Sequence, residues 1–189
     1  MKRFTLASAI TLGLLALPTL ADEVTDAIKE GSDAYKDGNY SEAASQLDYA
    51  SGLIRQKKAE AITAVFPDAL SGWTASEASS ESAGGMMMGG GITANRSYDK
   101  GDASVSIELI MDSPMLSTMM GMFSNPSLIT MNGGKMIKIQ GQTAILNQQS
   151  GNPEVILIVN NNAMFTLRGK GASVDDVKAY GEKLHLDKL

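Results

Sequence analysis

From residue 24 to about residue 65 the apolar positions recur at helical spacing. Val24, Ala27, Ile28, Gly31, Ala34 and Tyr35 form one set, and Ala43, Ala44, Leu47, Ala50, Leu53 and Ile54 form the next. The segment KDGNY interrupts the pattern, and Ser41 stands where it can cap the second helix. The expected element is a helical hairpin over residues 22–65. Pro67 cannot continue a helix and Gly72 marks a turn, so FPDALSGW closes this part of the chain.

From residue 92 the period changes to two. Ile92, Ala94, Arg96 and Tyr98 share one face, DKGD supplies a turn, and Val105, Ile107, Leu109 and Met111 alternate with Ser104, Ser106 and Glu108. This is the pattern of an antiparallel pair with one buried face. Ser113 and Pro114 then open a helix through PMLSTMMGMF, as a cap followed by a first-turn proline. Strands are expected near 135–140, 143–148, 154–160 and 163–168, the last two joined through three asparagines. Ser173, with Asp176 three residues on, opens a final helix carrying Val174, Val177, Tyr180 and Leu184. Consecutive strands with one inserted and one closing helix predict an α+β fold: an N-terminal helical hairpin followed by an antiparallel β-sheet domain over 66–189. Within that domain, a first strand near Trp73 leads into a small, polar, glycine-rich and methionine-rich loop at 76–91.

The first 21 residues stand outside this pattern. Lys2 and Arg3 precede an apolar run from Phe4 to Leu17, and Ala21 precedes acidic Asp22. That is the layout of a cleavable secretory signal, so residues 1–21 are read as a signal peptide and the periplasm as the destination. The apolar run is short of the roughly 20 residues a permanent anchor needs, so no stable membrane insertion is expected. After cleavage 14 basic residues face 21 acidic ones, which gives no general attraction for nucleic acid. The chain has no cysteine, which removes disulfides, thiolate metal sites and cysteine nucleophiles.

Gly31, Gly38, Tyr40, Ala43, Leu47 and Ala50 fall in the order and spacing of one tetratricopeptide repeat, and residues 24–57 resemble that family, most clearly through AYKDGNYSEA. Ala27 and Arg55 depart from it where a large residue and a proline would stand. The resemblance implies packing of one unit on a neighbour: the sheet, a partner or a second copy in a homodimer. The ending GNPEVILIVNNNAMFTLRGKGASVDDVKAYGEKL resembles, in element order, exported domains of the Mog1 and PsbP-like group. That resemblance implies a binding or assembly role rather than catalysis.

Candidate chemistry is sparse. The single histidine, His185, lies near the C-terminal end, no G-x-S-x-G elbow occurs, and Asp175 and Asp176 are explained by the first turn of a helix. GKGASV lacks the third glycine of a dinucleotide turn and leaves no room for a second parallel strand. Neither catalysis nor a cofactor is therefore expected. The excess lies in methionine, with 11 beyond residue 21. Met86, Met87 and Met88 sit among glycines, and Met115, Met119 and Met120 fall on or beside one helical stripe. Three readings stay open for them: core filling, an adaptable apolar surface, or thioether ligands for Cu(I) or Ag(I). The favoured reading is a non-catalytic protein that binds a protein segment or an apolar ligand through Met86, Met87, Met88, Met115, Met119, Met120, Tyr35 and Tyr40. The alternative is a soft-metal site built from Met115, Met119, Met86 and Met88.

Overall fold

The structure, a computed structural model, describes residues 22–82, 91–123, 125–148 and 151–189. Helix α1 (Glu23–Lys36) starts at Asp22, whose side chain accepts from the Val24 N–H. Gly38, at φ 76°, turns the chain, and α2 (Tyr40–Ile62) begins two residues later. The sharp glycine turn lets the chain re-enter helix one residue before Ser41, so Asn39 rather than Ser41 is the cap, with its side chain accepting from the Glu42 N–H. A 3-10 turn over Thr63–Val65 ends this part.

The rest is an antiparallel sheet with helices, which makes the fold α+β. The strands are β1 (Thr74–Ala75), β2 (Ser79–Ser82), β3 (Ile92–Lys100), β4 (Ala103–Met111), β5 (Lys135–Ile139), β6 (Gln142–Asn147), β7 (Glu154–Val159) and β8 (Ala163–Lys170). They run in the order β1, β3, β4, β8, β7, β6, β5, with β2 also on β3. Between β4 and β5 lie α3 (Pro114–Phe123) and α4 (Pro126–Met131), and α5 (Val174–Glu182) follows β8.

Two expectations need correction. Residues 79–82 fall in the segment read as loop, yet they pair with Asn95 to Ile92 along the outer edge of β3. The sequence SSES has no apolar alternation because an edge strand is held by its backbone ladder and shows polar side chains on both faces. The second correction is α4, where one inserted helix was expected. Asn125 caps it through the Ser127 N–H, and Pro126 occupies its first turn, so the cap and proline signal that opens α3 occurs twice in succession.

The period-two positions meet across the sheet as the pattern requires. Ile107 faces Leu167 and Arg96, and Leu167 faces Val155, so one face of β3, β4, β8 and β7 is continuous. Val105, Ile107, Leu109, Val155, Leu157, Phe165 and Leu167 are fully buried there, together with Val177 and Tyr180 of α5. Ala59, Ile62, Val65 and Phe66 belong to the same cluster, so the end of α2 and the sheet share one core.

FPDALSGW is held against that core. The Tyr98 hydroxyl donates to the Pro67 carbonyl at 2.8 Å, and Arg96 Nη1 donates to the same oxygen at 3.1 Å. The Tyr180 hydroxyl accepts from the Leu70 N–H at 3.3 Å. Tyr98 and Tyr180 have ring centroids 4.2 Å apart, and Trp73 meets Tyr180 edge to face at 5.5 Å. Burial pushes the Tyr98 phenol well above its ordinary range.

On the opposite face, Ile145 and Met164 are buried outside the main cluster, as is Ile129 of α4. A Cβ on Gly134 would lie 2.8 Å from Asn147 Oδ1 and 2.9 Å from Ile129 Cγ2, which places α4 against this side of β6. At α5, Ser173 Oγ accepts from the Asp176 N–H and the Asp176 carboxylate accepts from the Ser173 N–H, closing the expected capping box. The Ser173 hydroxyl and N–H hold the Asp176 carboxyl below its ordinary range.

Candidate partner-binding surface

The helical pair is joined through small residues. The buried positions are Ala27 and Gly31 in α1, with Ala43 and Ala50 in α2, while Ala59 and Ile62 at the end of α2 turn to the sheet core. Small side chains let the two helix axes approach, and the long side chains of the same amphipathic sets are displaced from the seam. Ile28 and Tyr35, seven residues apart in α1, are 44% and 65% exposed. Tyr40, Leu47 and Ile54, at the same interval in α2, are 67%, 46% and 49% exposed.

These two rows lie side by side. A Cβ on Gly31 would come within 2.9 Å of Leu47 Cγ, so Leu47 leans over the gap between Ile28 and Tyr35. At the turn the Tyr35 and Tyr40 rings are 5.7 Å apart and tilted by 59°. Residues seven apart differ by about 20° around a helix, so each row is nearly straight. The result is an exposed apolar stripe along both helices. Tyr49 is on another side of α2, where its hydroxyl donates to Glu23 of α1 and the neighbouring carboxylate raises its pKa.

Tyr35 and Tyr40, of the expected site residues, are thus brought together. Met86, Met87 and Met88 lie outside the described residues. Met115 and Met119 are one turn apart on α3, with side chains outside the described set, and Met120 is half-buried. Helix α3 starts near the far end of α2, where Lys58 pairs with Asp112. Along α2, Tyr40 and Lys58 are on the order of 27 Å apart. Ile28, Leu47 and Ile54 are exposed members of the stripe that period-reading assigned to a helix's apolar side without distinguishing rim from seam. The signal was present in their size: the buried positions Ala27, Gly31, Ala43 and Ala50 are all alanine or glycine.

A concavity lined mainly by polar residues lies on the sheet face away from the main core. It encloses about 610 Å³ and is lined by Ser104, Ser106, Asn132, Asn147, Glu154, Arg168 and neighbours. Arg168 donates from Nε to Glu154 at 2.8 Å and from Nη1 to Glu108 at 3.1 Å, so its charge is taken up by two carboxylates. Among the described residues no group of three or more His, Cys, Asp or Glu could hold a metal ion, and no helix is long and apolar enough to cross a membrane. The side chain of His185 is exposed, while its backbone N–H donates to the Val65 carbonyl at 2.9 Å.

No protein-family model matches this chain, and no curated protein does. Among solved structures it is similar to a GTP binding regulator from Thermotoga maritima, at a TM-score of 0.38 and 11% identity. The similarity covers 66% of this chain and 83% of that one.

Proposed function

We propose that this chain is an exported, non-catalytic binding or assembly protein, and that the exposed face of α1 and α2 accepts a protein segment or an apolar ligand. The observation that supports this reading is the stripe of Ile28, Tyr35, Tyr40, Leu47 and Ile54. Five large apolar side chains about half exposed, in two aligned rows, form a patch of the kind that soluble proteins keep for contacts. Covering them removes roughly 1 kcal/mol of unfavourable hydration each, before the cost of association, which suits a transient contact. Export rests on the layout of residues 1–21, and the binding role accords with a single histidine and the lack of a catalytic motif in the sequence.

The experiment is affinity capture with the wild-type chain and with a Tyr35→Ser, Tyr40→Ser, Ile54→Ser variant. All three side chains are exposed, so each change is expected to alter stability by no more than about 0.5 kcal/mol. A protein or apolar compound retained by the wild type and absent with the variant is the expected result. Equal retention by both would remove the hairpin face from the account.

A further inference from the structure

Resting on that reading, we infer that the occupant of the α1–α2 face is a cationic amphipathic helix from another protein, not a second copy of this chain. The inference comes from the charge around the stripe. Residues 22–49, which hold α1 and the free half of α2, carry eight carboxylates against two lysines, and beyond Ile54 Lys57 and Lys58 are taken up by Asp22 and Asp112 while Arg55 donates to Ser51. Both lysines, Lys29 and Lys36, are already paired with Asp33, at 2.8 and 3.1 Å. They hold the Asp33 carboxyl below its ordinary range. The remaining carboxylates stand on or at the ends of helices about 10 Å across, within a Debye length of the stripe at physiological salt. An apolar row in such a field selects a segment that is apolar on one side and basic at its flanks. A second copy would set the same carboxylates against each other, and an anionic lipid surface would be repelled in the same way.

The shape of the face specifies helix rather than strand. Its anchors recur at seven-residue intervals in two adjacent rows, which is the spacing a third helix presents to a groove between two others. From Tyr40 to Ile54 the row spans about 21 Å, which a helix of roughly 14 residues covers.

The test uses three synthetic 16-residue helical peptides with leucines on one face, flanked by lysine, by serine or by glutamate, titrated into the purified chain by fluorescence anisotropy. The lysine peptide is expected to bind at least tenfold more tightly than the glutamate peptide, with the margin shrinking at high salt. The Tyr35→Ser, Tyr40→Ser, Ile54→Ser variant is expected to lose at least tenfold for the lysine peptide. Equal binding of all three peptides, abolished by that variant, would overturn the charge inference and leave the apolar face standing. Lysine-peptide binding that the variant does not change would overturn both. A concentration-dependent dimer in sedimentation, lost in the variant, would assign the face to a second copy and overturn the inference.

Discussion

Replacing Tyr180 by alanine is expected to lower the free energy of unfolding by about 3–5 kcal/mol, the range for removing a large buried aromatic ring. Tyr180 has no exposed surface, and its ring lies between Trp73 and Tyr98. It also receives the Leu70 N–H, so truncation leaves both a cavity and a backbone donor without its partner. The expected damage reaches beyond α5, because Leu70 and Trp73 belong to the segment that joins α2 to the sheet. Tyr180→Phe separates the two contributions: it keeps the ring and is expected to cost about 1–3 kcal/mol, the penalty for the unpartnered donor. Urea unfolding of the two variants measures the difference. If Tyr180→Ala fell within about 1 kcal/mol of the wild type, the aromatic clamp would not hold the two parts together.

Gly169→Val is expected to destabilise by about 3 kcal/mol, the upper part of the range for overpacking a core. A Cβ at Gly169 would lie 2.8 Å from Val177 Cγ2 and 2.9 Å from Pro153 Cγ. The reason is therefore space rather than backbone conformation: β8 and α5 touch where residue 169 has no side chain. Its own N–H also donates to the Pro153 carbonyl at 2.8 Å, which leaves the strand little freedom to retreat. Because this change displaces the same helix that carries Tyr180, a Gly169→Val, Tyr180→Ala double variant is expected to fall short of additivity. Urea unfolding of the single and double variants checks both statements.

Legibility followed burial. Ile92 to Met111 could be read as a hairpin because one face is apolar at every position but Arg96, and Asn160 and Asn161 marked a turn that they form at φ 51° and 58°. SSES could not be read as a strand, since only its backbone belongs to the sheet. Helix α4 was hidden by its six-residue length, too short for a period to show. In the helical pair, periodicity located the apolar side but not its division into a small-residue seam and a large-residue rim. That division depends on how closely two helices approach, which the alanine and glycine positions decide jointly across the pair. Tyr35 and Tyr40 were named as contact residues, and both are exposed. Leu47 was not, although it covers Gly31 from the outside.

The most direct measurement is site-specific photo-crosslinking in living cells that produce the chain, with the reactive residue placed at Tyr35, at Ile54 or, as a control on the polar sheet face, at Ser106. The account predicts a discrete adduct from positions 35 and 54 that position 106 does not give. Adducts from position 106 with none from 35 or 54 would contradict it, and would move the binding surface from the helical pair to the sheet.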